Sequence, residues 1–348
     1  MAIYCIHSAH HYKCYLSINN HLCMEPEFSL NRSDDICNDS SNVSGITTVI
    51  TSYLLCICVG FLSVLIMCGN LLVIISIIYF KQLHTPTNYL ILSLAVADLL
   101  VGVVILPFST ILVVTSCWYL KDLLCMLRSS FDIFLGVSSI LNLCSISVDR
   151  YYAVCQPLSY RTKMNVRVIV VMILLSWTVS AQIGIGITIQ GLNEGQSNGC
   201  VIVQQTRTAI IGILFAFYLP AIIMSSIYLK VFIVAQRQAR SIQNTTGQSK
   251  KSKAAVSKSE RKATKTLAVV MGVFLICWTP FFLCVTFYHL STYPIPIPLI
   301  ETLKWLGLSN SMLNPLVYGF FYRWFRLSFR MIISRKIFQD DFTNSKLF

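Results

Sequence analysis

Seven long apolar runs, separated by polar segments, dominate the hydrophobic pattern of the chain. A helix needs about 20 mostly apolar residues to cross a bilayer, and every run exceeds that length. The short alternating strands of a membrane β-barrel are not part of the pattern. We therefore predict an all-α membrane protein, a bundle of seven spanning helices. Their expected ranges are roughly 48–80, 87–114, 125–154, 166–190, 208–234, 264–290 and 297–321.

The polar segments set the remaining boundaries. Residues 1–46 form a polar tail rich in Asn, Ser and Cys, 47–321 hold the bundle, and 322–348 follow as a C-terminal extension. The basic, Ser-rich stretch 236–260 is expected to be a flexible loop. Residues 321–336 place apolar side chains on one face and bases on the other. That arrangement predicts a short amphipathic helix at the membrane surface.

Composition agrees with this pattern, because the 348-residue chain is 55% hydrophobic and 12% charged, against about 25% charged in soluble domains. A net charge of +13 would suggest a nucleic acid partner in a soluble protein. Here most Lys and Arg lie in loops on one side of the predicted bundle. The positive-inside rule then places the N-terminus outside and the C-terminus in the cytoplasm. We expect a multi-pass plasma membrane protein that contacts lipid and binds no nucleic acid.

The expected extracellular tail carries three glycosylation sequons, at Asn31, Asn38 and Asn42. Seven cysteines lie outside or at the outer face, where disulfides persist: Cys5, Cys14, Cys23, Cys37, Cys117, Cys125 and Cys200. Their pairing cannot be deduced from spacing alone.

Charged residues inside the third and seventh runs are candidate functional groups. Asp132 and Arg150 are eighteen residues apart, so they share one helix face about 27 Å apart. An acid in an apolar, aromatic-lined cleft attracts an ammonium group. The alternatives are a pair with Arg128 or a protonated carboxyl. Lys304 is expected to pair with Glu301 at i, i+3, although it could instead meet an anionic group of a ligand.

A second acid, Asp98, lies in the middle of the second run. Asn70, Ser139, Asn310 and Asn314 lie at a similar predicted depth. Oxygen ligands around a carboxylate suit a sodium ion or a water cluster, and equally a hydrogen-bonded packing network.

At the inner face, Asp149-Arg150-Tyr151 close the third run and Glu260 begins the sixth. An Arg within reach of two carboxylates forms a latch that can be released. A snorkelling interfacial charge cluster fits the same residues.

These features together resemble the rhodopsin-like G-protein-coupled receptors. The elements that carry the resemblance are Gly69-Asn70, Leu94-Ala-Val-Ala-Asp98, Asp149-Arg150-Tyr151, Trp177, Pro220, Phe274-x-x-x-Cys277-Trp278-x-Pro280 and Asn314-Pro-x-x-Tyr318. Within that class, the segment from Asn310 to Phe325 and the triplet Cys117-Trp118-Tyr119 are similar to trace amine-associated receptors.

The resemblance implies a ligand site, an ion site and a switch. Asp132 would be the counter-ion of a protonated amine, and Cys125 would form a disulfide with Cys200. Further ligand contacts would come from Ser129, Ile133, Gly136, Val201, Trp278, Phe281, Phe282, Val285, Lys304 and Leu308. Sodium, the one metal expected, would be held by Asp98, Ser139, Asn310 and Asn314. The switch and the G-protein contacts would comprise Ile140, Asp149, Arg150, Tyr151, Pro220, Tyr228, Glu260, Phe274 and Tyr318.

The implied function is a receptor for small protonated amines, such as trace or odorant amines. It would activate a heterotrimeric G protein, most often the stimulatory type that raises cyclic AMP, with arrestin and a kinase as further partners. Alternatives are a serotonin-like monoamine receptor, or a receptor for a non-amine ligand in which Asp132 pairs with Arg128. No cofactor besides sodium and no enzymatic activity are expected, since clustered nucleophile groups are missing from the apolar runs.

Two departures from the family pattern shape the expected ligand. Leu308 stands where an aromatic side chain often closes the amine cradle, and where opsins carry the retinal lysine. The outer half of the fifth run, 208–217, lacks both the paired serines of catecholamine receptors and the acid of some trace amine receptors. We therefore expect one amine anchor and a mainly apolar remainder of the ligand.

Overall fold

The structure is a computed structural model, and it describes the backbone of residues 2–8, 11–18, 21–24, 40–114, 118–193, 206–243, 251–291 and 295–333. Side chains are described for most positions of 53–110, 127–189, 209–237, 266–291 and 295–332.

Helices account for nearly all of this part of the chain. Their bounds are α1 Ser40–Tyr79, α2 Pro86–Leu100, α3 Leu106–Val114, α4 Trp118–Cys155, α5 Pro157–Lys163, α6 Val166–Asn193, α7 Thr206–Ile213, α8 Leu219–Gln243, α9 Lys251–Leu290, α10 Ile297–Leu308, α11 Asn310–Phe321 and α12 Arg323–Ile333. A 3₁₀ turn covers Lys81–Leu83, and π-helical segments at Val101–Ile105 and Leu214–Tyr218 join α2 to α3 and α7 to α8.

The helices form the seven predicted spans. Within the described residues, six helices are long and apolar enough to cross a membrane: Cys56–Tyr79, Pro86–Thr110, Leu127–Cys155, Val166–Gly186, Ala209–Arg237 and Ala268–Leu290. The seventh span consists of α10 and α11, which meet at Ser309 and contain 12 residues each. The predicted fold class, an all-α membrane bundle, is confirmed.

The third span, α4, lies at the centre of the bundle, since it packs against α2, α6, α8 and α9. The first span closes the ring by packing against both α2 and α11. One continuous apolar core receives buried side chains from all seven spans. Large apolar side chains such as Phe215 and Ile276 point outwards and are mostly exposed. A lipid-facing surface accounts for them, because a soluble monomer rarely exposes large apolar patches.

The π-helical segment of the second span is a site of close packing. Ser63 Oγ of α1 donates a hydrogen bond of 2.6 Å to the Gly102 carbonyl. A Cβ added at Gly102 would lie 2.9 Å from Ile66 Cγ2. Glycine is therefore the residue that lets α1 approach the second span at this height.

The N-terminal part of the chain has more secondary structure than was predicted from the sequence. Three antiparallel strands, β1 Ala2–Ser8, β2 His11–Ile18 and β3 His21–Met24, precede the bundle in the order β1-β2-β3. They lie in the tail 1–46, for which no secondary structure was predicted from the sequence, and their β-branched and aromatic residues favour strands. The first helix begins at Ser40, inside that tail.

The basic stretch 236–260 is also more regular than expected. Helix α8 continues to Gln243, and α9 starts at Lys251. Lys, Ala and Glu have high helix propensity, which explains why the sixth span extends well beyond its apolar part. Helices therefore occupy both ends of this stretch, while residues 244–250 lie outside the described part of the chain, and the flexible loop stays a prediction there.

The C-terminal amphipathic helix, α12, is present as predicted. Phe325 and Ser328 are buried on the side that packs on the bundle, while Arg326 and Phe329 are exposed. Arg326 Nη1 donates hydrogen bonds to the carbonyls of Gly319 at 3.1 Å and Phe320 at 2.8 Å. These carbonyls belong to the last turn of α11, so the guanidinium caps that helix at its negative end.

Candidate ligand-binding site

Asp132 and Arg128 of α4 and Glu301 and Lys304 of α10 form a chain of ionic contacts. Lys304 forms an ion pair with Oδ2 of Asp132, and Arg128 Nε lies 3.8 Å from the same oxygen. Arg128 Nη2 also donates a 3.1 Å hydrogen bond to Oε2 of Glu301. Two acids and two bases therefore tie the third span to the seventh, and we refer to these four residues as the charge quartet.

The expected pairing of Lys304 with Glu301 is wrong, because Lys304 contacts Asp132 and Glu301 accepts from Arg128. Burial explains the exchange. The side chain of Asp132 is 10% exposed and that of Glu301 is 40% exposed. A buried charge without a partner is far more costly than an exposed one, so the lysine is better placed on Asp132. The alternative that Asp132 approaches Arg128 agrees with the 3.8 Å contact.

Three polar atoms of the quartet are buried without a hydrogen-bond partner in the described part of the chain: Oδ1 and Oδ2 of Asp132 and Nε of Arg128. Oδ2 is already ion-paired with Lys304, which leaves the acceptor Oδ1 and the donor Nε. Buried polar atoms are ordinarily hydrogen-bonded, so an exception calls for a partner such as a water, an ion or a bound ligand. The quartet therefore has capacity for one further donor and one further acceptor.

An aromatic cluster lies on α9, and its Trp278 packs against an apolar cluster that includes Leu135 of α4 and Leu308 of α10, the helices that carry the quartet. Trp278, Phe281 and Phe282 lie with ring centroids 5.3–5.9 Å apart. Phe217 from the fifth span stacks on Phe282 at 4.1 Å. The sequence interpretation missed Phe217, which lies in the π-helical segment Leu214–Tyr218 of the fifth span.

Helix α10 approaches this cluster closely at Gly307. A Cβ added there would lie 2.6 Å from Cε3 of Trp278, well inside van der Waals contact. Leu308, the next residue, is buried in an apolar cluster with Leu135, and Trp278 packs against that cluster. The indole is thus held between the third, sixth and seventh spans.

The other predicted ligand residues lie on two elements. Ser129, Ile133 and Gly136 are partly buried on α4 near Asp132, and Val285 is partly buried on α9. A further contact that the sequence did not indicate joins the fifth and sixth spans, where Tyr218 Oη and Thr286 Oγ1 share a hydrogen bond of 3.1 Å.

Asp98 is fully buried and accepts two hydrogen bonds from α11. Ser311 Oγ and Asn314 Nδ2 donate to its two carboxylate oxygens at 2.8 Å each. Ser311 was not among the four residues predicted to hold sodium. The amide oxygens of Asn310 and Asn314 have no hydrogen-bond partner among described residues, and Ser139 is buried. A carboxylate with spare amide oxygens is a donor set that fits a small hard cation.

The inner end of α4 holds a second polar cluster. Arg150 Nε donates to Oδ2 of Asp149 at 2.9 Å. Two residues that the sequence did not indicate join them: Thr87 Oγ1 donates to Oδ2 of Asp149 at 2.8 Å, and Tyr160 Oη donates to Oδ1 at 2.9 Å. Burial first, and then the charge of Asp149, raise the pKa of the Tyr160 phenol. Tyr160 therefore stays protonated and remains a donor.

The remaining switch residues surround this cluster. Lys230 Nζ lies 5.2 Å above the ring of Tyr151. Ile140 and Phe274 are buried in the common core, where Tyr228 also packs. Pro220 and Tyr318 are buried as well.

Several predicted residues lie outside the described side chains, and their roles stay predictions. They are the sequon residues Asn31, Asn38 and Asn42, the cysteines Cys125 and Cys200, Val201, and Glu260, the second carboxylate proposed for Arg150.

Comparison with known proteins agrees with this architecture. Residues 69–318 match the family described as 7 transmembrane receptor (rhodopsin family). Trace amine-associated receptor 1 of Macaca mulatta is 44% identical over 295 residues, which are 80% of this chain and 87% of that protein. Trace amine-associated receptor 4 of Mus musculus is 43% identical over 82% of this chain and 86% of its own length. Trace amine-associated receptor 2 of Rattus norvegicus is 40% identical over 80% and 84%. The chain therefore belongs to the rhodopsin family of G-protein-coupled receptors and, within it, to the trace amine-associated receptors.

Proposed function

We propose that this receptor recognises a protonated amine through Asp132. One observation carries the proposal: the mostly buried carboxylate of Asp132 already holds an ammonium group, that of Lys304. A ligand ammonium needs the same environment, a carboxylate in a site where water does not screen the attraction. The names of the similar proteins, trace amine-associated receptors, support the same ligand class.

The apolar remainder of the ligand lies against Trp278, Phe281 and Phe282. Trp278 packs against the apolar cluster of Leu308, and its indole faces Gly307, so a ligand that moves the indole also moves the sixth span against the seventh. Such a movement reaches the inner end of the bundle through the core shared by Phe274 and Tyr318. Because interfaces of this kind have discrete packings, a small shift at the ligand site becomes a change of state.

At the inner face, Arg150 leaves Asp149 and the G protein binds in the space that opens. We infer coupling to the stimulatory type and a rise in cyclic AMP, with phosphorylation by a kinase and arrestin binding afterwards. The protein lies in the plasma membrane with its N-terminus outside, and detects trace or odorant amines. A sodium ion, which would stabilise the state without agonist, would be held by Asp98, Ser139, Asn310 and Asn314.

A panel of biogenic and volatile amines, applied to cells that express the receptor and a cyclic AMP reporter, tests the proposal. At least one amine is expected to act, and Asp132→Asn should lower its potency by roughly 100-fold or more, the effect of removing a buried ionic contact. Asp132→Glu is the matched control, since it keeps the charge. Surface expression of each variant is measured in the same cells. An unchanged potency for Asp132→Asn at equal surface expression would overturn the amine anchor.

A second candidate function is a receptor for a non-amine ligand. The contacts of Asp132 with Lys304 and Arg128 favour it, because they neutralise the acid without any ligand. This alternative expects agonists that lack a basic nitrogen and keep their potency on Asp132→Asn.

A further inference from the structure

We propose that the ligand carries a carboxylate as well as an amine, so that its ammonium meets Asp132 while its carboxylate meets Lys304 and Arg128. The inference rests on the proposed function, since it assigns a second recognition group to the same site. It concerns the chemical class of the ligand: an amino carboxylate with an apolar or aromatic body.

Charge balance is the first argument. The quartet contains two positive and two negative side chains, and so it is neutral before a ligand arrives. The side chains of Lys304 and Arg128 are 17% and 11% exposed. A simple amine that displaces Lys304 from Asp132 adds a positive charge and leaves the lysine without a partner in a mostly dehydrated place. Freeing one member of a buried ion pair is strongly unfavourable. A ligand with both charges keeps the site neutral.

Hydrogen-bond capacity is the second argument, and it is independent of the first. Within the described residues, Oδ1 of Asp132 lacks a donor and Nε of Arg128 lacks an acceptor. An amine alone could satisfy only the first atom. A ligand ammonium donates to Oδ1, and a ligand carboxylate accepts from Nε, so the zwitterion completes both.

Distances set the length of the ligand. Nε of Arg128 lies 3.8 Å from the carboxylate of Asp132, and each new contact adds about 2.8 Å. The ammonium and the carboxylate oxygens are then separated by roughly 4–6 Å, given ordinary hydrogen-bond lengths. Two or three carbon atoms between the groups match that separation. The aromatic side chains Trp278, Phe281 and Phe282 then receive the apolar body.

Glu301, one turn away from Lys304 on α10, is the alternative ion-pair partner of the lysine. A simple amine could bind if the lysine moved there. Glu301 already accepts a 3.1 Å hydrogen bond from Arg128 Nη2, and its side chain is 40% exposed. Because water screens its charge, an ion pair with Glu301 stabilises the lysine less than one with Asp132. The quartet thus disfavours a ligand with one charge without excluding it, and the preference is measurable.

The test uses matched probes on the full-length receptor: 3-amino-4-phenylbutanoate, its methyl ester, and the corresponding amine without the carboxylate. Thermal stability of the purified receptor reports binding, and nucleotide exchange on added G proteins reports activation. The acid is expected to bind roughly 10- to 100-fold more tightly than the ester and the amine, the range of one charge-assisted contact.

Variants separate this inference from the proposed function. Lys304→Met should lower the affinity for the acid by a similar factor. It should raise the affinity for the amine, because the carboxylate of Asp132 is then free to bind the ligand ammonium. Lys304→Arg keeps the positive charge and should keep the preference for the acid. Asp132→Asn should weaken all three probes. If the amine depends on Asp132 but the acid binds no better, and Lys304→Met changes neither, the inference is overturned and the amine anchor stands. If no probe depends on Asp132, the proposed function fails. If none of the probes stabilises the receptor at millimolar concentration, the amino carboxylate class is wrong.

Discussion

Gly307→Ala tests whether α10 fixes the position of Trp278. The added Cβ would lie 2.6 Å from Cε3, 2.8 Å from Cζ3 and 2.9 Å from Cδ2 of the indole. Carbon atoms pack at about 3.5–4.0 Å, so the ring or the helix must move by roughly 1 Å. Trp278 is confined by Phe281 and Phe282 on its own helix, and overpacking of this kind costs about 1–3 kcal/mol.

The matched control is Gly272→Ala, a helical glycine of α9 whose added Cβ would meet no atom within 4 Å. Replacing a helical glycine by alanine stabilises by up to about 1 kcal/mol through propensity alone. Both substitutions gain this contribution, so the difference between the two variants isolates the collision. With an unfolding entropy of about 2.1 cal/mol/K per residue, 1 kcal/mol corresponds to roughly 1.4 °C for this 348-residue chain. The expected difference in melting temperature is therefore roughly 1–4 °C, from an overpacking cost of about 1–3 kcal/mol.

The assay is thermal unfolding of the purified receptor in detergent or nanodiscs, followed by agonist binding on the same preparations. Gly307→Ala should unfold below Gly272→Ala and bind agonist more weakly, because the displaced indole enters the ligand site. Equal melting temperatures for the two variants would refute the close contact between α10 and Trp278.

Two further variants probe the other polar clusters. Tyr160→Phe removes the 2.9 Å hydrogen bond to Asp149, which stabilises the inner cluster by about 1 kcal/mol. Basal nucleotide exchange on the G protein should therefore rise several-fold. A basal rate equal to that of the wild type would show that this hydrogen bond does not hold the inner cluster. Ser311→Ala removes the 2.8 Å donor to Asp98; the purified receptor should lose about 1–3 kcal/mol of stability, and its stabilisation by sodium over potassium should change, while an unaltered response to both would separate Ser311 from the cation site.

The bundle was predictable because membrane insertion imposes a simple length rule. Every span requires about 20 apolar residues, and the seven apolar runs of the sequence correspond to the seven spans. The amphipathic α12 was predictable for a similar reason, since its two faces differ in polarity along a helical period. Helix ends that lie in polar sequence were harder to predict. The start of α9 at Lys251 depends on backbone propensity, which is a weak signal beside an apolar run.

Contacts between distant parts of the chain were only partly predictable. Asp132 and Arg150 could be placed on one face of a helix by counting turns. The ion-pair partner of Lys304 could not be predicted in this way, because the choice between Glu301 and Asp132 depends on burial in the folded bundle. The partners of Thr87, in the first turn of α2, and of Tyr160, in the short helix α5, could not be predicted either, because the sequence does not show which distant residue a hydroxyl contacts. Their role appears only when Asp149 is seen between them.

The most direct test of the central claim is the affinity of the purified receptor for its most potent amine-bearing agonist, measured at equilibrium on the wild type and on Asp132→Asn. A neutral analogue of the agonist, with the nitrogen acylated, is measured beside it. If Asp132 is the counter-ion, the substitution lowers the affinity for the amine by roughly 100-fold or more, and the neutral analogue binds both receptors equally weakly. Equal affinity of the amine for both receptors would contradict the account.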